Sequence, residues 1–273
     1  MATLDEKYDE LIEDVFGNGV DKGDRTGTGT RSVFGRQVRF DVDLDNFPII
    51  TEKKIVWNSL LTELIWFIHG QTNIAFLHKN DVHIWDEWAG EDGDVGPVYG
   101  KQWRNWENPN GENIDQLQNV IDNIRNNPDS RRHLVSAWNV ADIPRMGLPP
   151  CHFAYQFWSK PTGEGRELSI KVEQRSCDVG LGVPFNWTSY ATLLAVVSKL
   201  TGHEPGEVVW SGGDVHIYQN HFDGLHRVLE LPTFGAPKLS IDPSVSSIDD
   251  VYKSTFQLED YDHGPLVKLP IAC

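Results

Sequence analysis

Apolar residues recur at helical or strand spacing along most of the chain. The first helical face, over residues 4–16, consists of Leu4, Tyr8, Leu11, Ile12, Val15 and Phe16, and Gly17-Asn18-Gly19 follows it as a stop signal. Helical spacing also predicts a largely buried helix over 55–70, an amphipathic helix over 114–124 and an apolar helix over 189–200. Strand-like patterns occupy 31–42, 133–138, 152–158 and 168–173, with a late candidate at 251–258. Helices and strands therefore alternate along the chain.

The segments between these elements predict a single α+β domain. Residues 105–113 have loop composition, 160–165 resemble a hairpin connection, and the chain from residue 231 onward is rich in loop-forming residues. No linker divides the sequence, and 273 residues with 39% hydrophobic content suffice for one substantial core. We therefore expect one domain over residues 1–273.

Composition narrows the possible partners and locations. Twenty-four basic and forty acidic residues give a formal charge of −16, which disfavours a general nucleic-acid surface. No apolar run is long enough to span a membrane, and residues 1–6 lack the features of a signal peptide, so a cytoplasmic protein is expected. Three cysteines without metal-ligand spacing predict neither a metal site nor a disulfide framework.

One of these cysteines stands in a context that suggests chemistry. The tract Leu148–Trp158 contains Cys151, followed directly by His152. A thiolate attacks electron-poor carbon well, and it needs a nearby cation or base to stay deprotonated near neutral pH. Taken alone, the pair equally describes a small buried hydrophobe beside a histidine with backbone partners. Other tracts of the chain decide between these interpretations.

Those tracts resemble the thymidylate synthase family, in the family's order. They are Asp24–Thr30, Ile84–Trp88, Gly96–Gly100, Asp129–Arg132, Leu148–Trp158, Gln174–Tyr190 and Gly212–His221. The resemblance covers nearly the whole chain. It implies a large mixed β-sheet flanked by helices, and a homodimer packed sheet to sheet.

The resemblance also implies a binding site for dUMP. The phosphate-binding residues correspond to Arg25, Arg175 and Ser176, together with Arg131 and Arg132 donated by the partner subunit. Cys177 and Asp178, which follow directly, are also expected to contact dUMP, and His216 and Tyr218 match the residues that hold the sugar 3′-hydroxyl. Asn186 matches the residue that pairs with the base. Relatives that act on deoxycytidylate have aspartate there, so asparagine indicates uracil.

Catalytic and folate-binding roles follow from the same resemblance. Cys151 would add to carbon 6 of the uracil, and the arginines, Arg175 among them, would lower the pKa of its thiol. Glu63 would organise proton-transferring water, Tyr99 would help to remove the carbon 5 proton, and His152 would support that network. The co-substrate implied is 5,10-methylenetetrahydrofolate, with Asp178 bonded to its pterin. Residues near its rings correspond to Ile84, Trp85, Trp88, Leu148, Leu181 and Gly182, and residues 269–273, including Ala272, would close over it.

Two departures from the family pattern keep a second activity open. Gly180 stands where phenylalanine is usual, and Trp187-Thr188 stands where Ile-Ala is usual. If folate delivers hydride to the covalent methylene intermediate, the product is thymidylate. If water attacks first, the product is 5-hydroxymethyl-deoxyuridylate, and the protein is a hydroxymethylase. A catalytically silent homologue that acts as a binding protein is a third possibility, which the charge and the full set of catalytic residues disfavour.

Overall fold

The computed structural model describes residues 2–272, and their helices and strands interleave along the chain. The α-helices are α1 (Leu4–Asn18), α2 (Trp57–Ile68), α3 (Ala75–Lys79), α4 (Tyr99–Asn105), α5 (Gln116–Asn126), α6 (Gly182–Thr201) and α7 (Phe222–Val228). The strands are β1 (Val20–Lys22), β2 (Thr30–Asp41), β3 (Trp106–Glu107), β4 (Asn113–Ile114), β5 (Leu134–Ser136), β6 (His152–Pro161), β7 (Arg166–Asp178), β8 (Glu204–Tyr218), β9 (Lys238–Ile241) and β10 (Phe256–Glu259). Short 3₁₀ helices occupy 86–88, 143–145, 219–221, 248–250 and 253–255.

A mixed six-stranded sheet organises the fold, as predicted. Its strand order is β1-β2-β8-β7-β6-β5, and β9-β10 and β3-β4 form separate two-stranded ribbons. Strands β7 and β8 are parallel, whereas the other neighbours in the sheet are antiparallel. The crossover from β7 to β8 runs through α6, a long helix as parallel pairing requires.

The two faces of this sheet have different environments. One row of paired residues across β5, β6, β7 and β8 is fully buried: Val135, Tyr155, Val172 and Trp210. The adjacent row faces the opposite way and includes Leu134, Gln156, Lys171, Val209 and Arg39, of which Leu134 is 50% exposed. Helix α6 packs on the buried face, where Trp187 contacts Trp210 edge to face. The other face, which we call the uncovered face, exposes the large apolar side chains of Leu134 and Trp158.

Most of the predicted elements are present, with shifted ends. Helix α1 begins with a Thr3–Glu6 capping box, and the hairpin closes with Thr162 N–H donating to the Gly165 carbonyl at 3.0 Å. Helix α6 begins at Gly182 instead of residue 189, because Pro184 is compatible with a first helical turn. Strand β5 is shorter than predicted. The late strand predicted over 251–258 is wrong in extent, since residues 253–255 form a 3₁₀ turn before β10.

Strand β8 was not predicted along most of its length. Pro205, Gly206, Gly212 and Gly213 interrupt its pattern, and none of these residues favours a strand by itself. Pairing on both sides, with β2 and β7, holds the strand together. Among the described residues, no helix combines the length and the apolar character needed to cross a membrane.

Candidate active site

A cavity of about 760 Å³ opens where the carboxyl ends of β7 and β8 meet the first turn of α6. Parallel pairing sets this geometry, because Ser176 lies beside Asp214 and Asp178 lies beside His216. The cavity is also lined by Arg25 from the loop before β2, Glu63 from α2, segments 84–88 and 148–152, and residues 269, 271 and 272. Segments that are distant in sequence therefore form one continuous lining.

Cys151 lies just before β6, in a position fixed by backbone contacts. Its N–H donates to the Tyr99 hydroxyl at 2.7 Å, and its carbonyl accepts from the Arg175 N–H at 2.8 Å. The Arg175 guanidinium donates to the carbonyls of Pro150 and Pro149 at 2.9 and 2.8 Å. It also lies 5.4 Å from the centre of the Trp138 ring. These contacts hold a cation next to the thiol.

Within one subunit, this arrangement does not lower the pKa of the thiol. Burial raises the pKa of Cys151 above its ordinary value, and the positive charge of Arg175 only partly opposes that effect. Asp178 raises the pKa further. Arg131 and Arg132 are exposed and do not line the cavity of their own chain, so Arg175 is the main opposing charge here.

A hydrogen-bond relay fixes the orientation of Asn186 at the start of α6. The Trp210 indole N–H donates to Gln174 Oε1 at 2.8 Å, and Gln174 Nε2 then donates to Asn186 Oδ1 at 3.0 Å. An indole nitrogen can only donate, so this contact determines which end of each amide faces the next. The Asn186 NH₂ group is therefore left for the cavity, together with the second lone pair of Oδ1.

The wall that contains Glu63 is rich in aromatic rings. The Trp85 indole N–H donates to Glu63 Oε1 at 2.7 Å, yet burial dominates and raises the pKa of this carboxyl to about 7. His152 is buried, stacks on Tyr99 at 4.2 Å between ring centroids and shares a hydrogen bond of 2.8 Å with the Tyr190 hydroxyl. Burial lowers the pKa of His152 to about 3, so the ring is neutral at physiological pH.

The wall that contains Asp178 carries compensating positive charge. His221 Nδ1 lies 3.6 Å from Asp178 Oδ1, an ion-pair distance, and Gly180 N–H donates to the same oxygen at 2.9 Å. Burial raises the pKa of Asp178, but its interactions with His221 and His216 outweigh burial and leave the pKa below its ordinary value. Burial lowers the pKa of His221, but Asp178 outweighs that effect and the pKa is raised.

His221 also joins this wall to the C-terminal segment. Its Nε2 hydrogen-bonds the Pro270 carbonyl at 2.7 Å. The close approach depends on Gly180, because a Cβ at that position would lie 2.5 Å from His221 Nδ1 and 3.0 Å from Leu269 Cδ1. The buried ammonium of Lys53 donates to the Gly180 carbonyl at 2.7 Å and to the Tyr8 hydroxyl at 2.8 Å. Burial lowers the pKa of Lys53 to about 8.

The opposite end of the cavity is polar and more open. Asp24 accepts hydrogen bonds from the backbone N–H groups of Thr26 and Gly29, which shapes the loop that presents the exposed Arg25. Lys22 forms an ion pair with Asp214, and Ser32 donates to the same carboxylate at 2.6 Å. His216, and then Lys22 and Ser32, lower the pKa of Asp214. An anion at this end would find guanidinium groups beside ordered backbone.

The comparison with known families agrees with this site. The family model described as thymidylate synthase matches residues 6–273, essentially the whole chain. The chain belongs to the thymidylate synthase family. Its members are folate-dependent enzymes that bind dUMP and transfer one-carbon units. The resemblance inferred from the sequence is thus confirmed, and so is the α+β fold with a large mixed sheet flanked by helices.

Most residues that the thymidylate synthase resemblance singled out surround the one cavity. They are Arg25, Glu63, Ile84, Trp85, Trp88, Tyr99, Leu148, Cys151, His152, Arg175, Ser176, Asp178, Leu181, Gly182, Asn186, His216, Tyr218 and Ala272. The last residue of the predicted closing segment, Cys273, lies outside the described residues.

Three of the predicted residues do not line the cavity. Arg131 and Arg132 lie on the exposed surface before β5. Cys177 is a correction: its side chain is fully buried, and its thiol donates to the Gln174 carbonyl at 3.4 Å. Side chains alternate across a strand, so Cys177 faces away from the cavity when Ser176 and Asp178 face it. A substrate contact through this side chain is excluded.

Sequence reasoning also missed residues that shape the site. Gln174 and Trp210 orient Asn186, His221 and Lys53 support the wall around Asp178, and Lys22 pairs with Asp214. Only Lys53 gave a usable signal, as one of two adjacent lysines in the segment that leads into α2. Among the described residues, the only group with the spacing of metal ligands lies outside the cavity, at His78, His83 and Asp86.

Proposed function

We propose that this protein is a thymidylate synthase, which converts dUMP to dTMP with 5,10-methylenetetrahydrofolate. In this reaction Cys151 adds to carbon 6 of the uracil, which makes carbon 5 nucleophilic toward the one-carbon unit. The observation that carries the proposal is the common cavity of Cys151, the oriented amide of Asn186 and the carboxylate of Asp178. The proposed nucleophile, the residue that would pair with the base and the residue that would bind the pterin thus line the same cavity.

The relay from Trp210 through Gln174 supports uracil as the base. It directs the Asn186 NH₂ group into the cavity, where that group can donate to a carbonyl oxygen at carbon 4. The free lone pair of Oδ1 can accept from the N–H at nitrogen 3. The amino group of a cytosine would instead face the Asn186 NH₂ group. Two hydrogen-bond donors would then lie against each other without an acceptor, which costs binding free energy.

Proton transfer would depend on the wall around Glu63. A carboxyl whose pKa is about 7 populates both protonation states near neutral pH, as a general acid and base requires. Tyr99 accepts from the Cys151 N–H, so its own hydroxyl proton remains available toward the substrate. Neutral His152 helps to fix this wall, through its stack on Tyr99 and its hydrogen bond to Tyr190.

The folate would lie between an aromatic wall and the C-terminal segment. The residues assigned to the folate rings and the tail all line the cavity: Ile84, Trp85, Trp88, Leu148, Leu181, Gly182 and Ala272. Asp178, held as an anion, would accept hydrogen bonds from the pterin. Contact of the tail with His221 supports a closing role, which would exclude water from the reactive one-carbon unit.

A homodimer would complete both the sheet packing and the site. The uncovered sheet face carries Leu134 at 50% and Trp158 at 58% exposure, and apolar residues on a broad open face favour a second subunit. Arg131 and Arg132 immediately precede the edge strand β5 and are exposed. Donated to the partner, they would bind the substrate phosphate and add positive charge near the partner subunit's thiol.

The surroundings of the two departures from the family pattern favour the synthase reaction. The space that a side chain at position 180 would fill is taken by His221 and Leu269. Trp187 and Thr188 are fully buried on the core side of α6, and neither lines the cavity. This arrangement supports hydride transfer, and thus thymidylate, over the hydroxymethylated product.

Product identification tests the proposal. With dUMP and methylenetetrahydrofolate, a synthase forms dTMP and one equivalent of dihydrofolate, which raises the near-ultraviolet absorbance. Mass spectrometry showing an added CH₂OH without dihydrofolate would identify the hydroxymethylase instead. Failure to form a covalent complex with 5-fluoro-deoxyuridylate and the folate would indicate the silent homologue. The Cys151→Ser variant serves as the inactive control.

A mixed-dimer experiment tests the partner arginines. Arg132→Ala should raise the Michaelis constant for dUMP, and Cys151→Ser should abolish activity. Mixing the two proteins should restore part of the activity, since one site of the hybrid would contain an intact thiol and an intact donated arginine. Absence of restoration in verified hybrids would argue that the arginines act within their own subunit.

A further inference from the structure

Two histidines and a carboxylate converge on the surface beside, and outside, the cavity. His78 Nε2 lies 2.7 Å from Asp86 Oδ1, and His83 Nδ1 lies 3.0 Å from Asp86 Oδ2. The two imidazole rings are 4.7 Å apart between centroids. One ligand atom from each residue lies within 4.8 Å of the other two. None of the three residues lines the cavity or takes part in the proposed reaction.

The backbone that carries these side chains is fixed. The chain reverses after α3 with two hydrogen bonds of 3.0 Å, from Asp81 N–H to the His78 carbonyl and from Val82 N–H to the Leu77 carbonyl. Asp81 adopts a φ of 57°, a left-handed conformation that aspartate tolerates better than most residues. Leu77 and Val82 are buried and anchor the turn. Only side-chain torsions remain to be adjusted on binding.

The spacing suits a first-row transition metal. Zinc binds histidine nitrogen and carboxylate oxygen at about 2.0–2.2 Å, so tetrahedral ligand atoms lie about 3.4 Å apart. The observed contacts between Asp86 and the two histidines are slightly shorter, and the exposed side chains can open by that amount. Imidazole favours zinc, copper, nickel and cobalt over magnesium and calcium. Water would complete the coordination.

The surroundings support a cation. His83 presents its second nitrogen, Nε2, at 3.8 Å from an Asp81 carboxylate oxygen, and metal-bound histidines commonly have such a partner. Within residues 78–87, the carboxylates of Asp81, Asp86 and Glu87 outnumber the single Lys79.

We propose that His78, His83 and Asp86 form a surface site for a divalent transition metal ion, with Zn²⁺ the best match. The bound ion would join the end of α3 to the 3₁₀ turn at Asp86–Trp88. Ile84, Trp85 and Trp88, which line the cavity, belong to this same segment. The sequence predicted no metal site, because its three cysteines lack metal-ligand spacing.

Zinc titration of metal-free protein tests the proposal without any activity assay. In competition with a chromophoric chelator, the intact chain should bind one equivalent of Zn²⁺ at micromolar free metal. Co²⁺ should give the visible absorption of a bound ion, and Mg²⁺ should not compete. Hydrogen exchange of residues 78–88 should slow when Zn²⁺ is bound.

Variants separate this site from other ligands. His83→Ala and the conservative Asp86→Asn should each weaken Zn²⁺ binding roughly tenfold or more, and Asp81→Asn should weaken it less. The matched control is His226→Ala, because His226 is also exposed but lies in α7. Circular dichroism and melting temperature without metal check that each variant folds.

Several results would overturn the proposal. They are absence of stoichiometric binding at micromolar Zn²⁺, equal losses in the His226→Ala and His83→Ala variants, or binding that survives His83→Ala but disappears in Cys151→Ser. The last result would place the ion on the thiol. Since each readout concerns metal alone, failure here is independent of whether the protein is a thymidylate synthase.

Discussion

Two carboxyl groups that line the same cavity, Glu63 and Asp178, have pKa values shifted in opposite directions. Burial raises the pKa of Glu63 to about 7, whereas the pKa of Asp178 is lowered in spite of burial. The difference lies in their neighbours. Burial and one hydrogen bond from Trp85 set the pKa of Glu63, whereas Asp178 has the His221 ring at 3.6 Å, and the pKa of that ring is raised. Burial alone therefore does not determine the protonation state of a carboxyl group; its neighbouring charges and hydrogen-bond partners also do.

This difference suits the surroundings of Glu63 and those of Asp178 to different chemical roles. The Glu63 wall can gain and lose a proton near neutral pH, which suits proton transfer. The Asp178 wall keeps a fixed negative charge, which suits the binding and orientation of a hydrogen-bond donor such as a pterin. His221 links that charge to the C-terminal segment through Pro270. Four predictions test this division.

The largest expected effect comes from Glu63→Gln. Glutamine preserves the shape but cannot transfer a proton, so kcat should fall about 100-fold or more, as for other general acids and bases. Binding of dUMP should change little. Steady-state kinetics measure both quantities, and Glu87→Gln, an exposed neighbour, is the control. A loss of less than about tenfold would contradict a proton-transfer role.

The Glu63→Gln substitution should also change how the free energy of unfolding depends on pH. The pKa of Glu63 is about 7 in the folded chain against an ordinary value of about 4.5, so the folded state binds more protons between these pH values. The stabilising contribution of Glu63 is full below about pH 4.5 and is lost as pH rises through 7. Between pH 4.5 and 7, the free energy of unfolding of the Glu63→Gln variant should therefore rise by up to about 3 kcal/mol relative to that of the original protein.

Chemical denaturation at several pH values measures this difference. His152 provides an internal contrast, since its pKa is lowered to about 3 and its contribution is lost as pH falls below about 6.5. His152→Asn should therefore reduce the loss of stability in acid. A pH-independent difference between Glu63→Gln and the original chain would mean that the Glu63 carboxyl is solvated.

At the second carboxyl group, the substitution Asp178→Asn should impair folate binding. It retains a hydrogen-bonding group but removes the charge, so the folate Michaelis constant should rise roughly 10- to 100-fold. The pKa of His221 should also fall, because Asp178 is what raises it. Kinetics and NMR titration of the histidine test both effects, with exposed Asp223→Asn as the control. An unchanged His221 pKa would show that the two groups are not coupled.

The smallest effect is expected for His221→Gln. Glutamine can still donate to the Pro270 carbonyl but carries no charge for Asp178, so the folate Michaelis constant should rise only about fivefold. His221→Phe removes both interactions and should have a larger effect. Equal effects of the two variants would indicate that the contact with the tail contributes nothing.

Local patterns predicted the elements that periodicity specifies strongly. Helix α1 and the hairpin between β6 and β7 follow their patterns closely, because their signals are contained within a few residues. Strand β8 escaped prediction because its glycines gain strand geometry only from pairing with β2 and β7. The residues around Cys151 were identified through family motifs, whereas spacing alone left Cys151 and His152 ambiguous.

The sequence by itself determined the family, the chemical groups available and the alternation of helices and strands. Only the tertiary structure decided the charge of each group. It raised the pKa of Cys151 despite Arg175, set Glu63 and Asp178 apart, and turned Cys177 away from the cavity. It also fixed the Asn186 amide through Trp210. Burial and hydrogen-bond partners determine these properties, and the partners come from segments far apart in the chain.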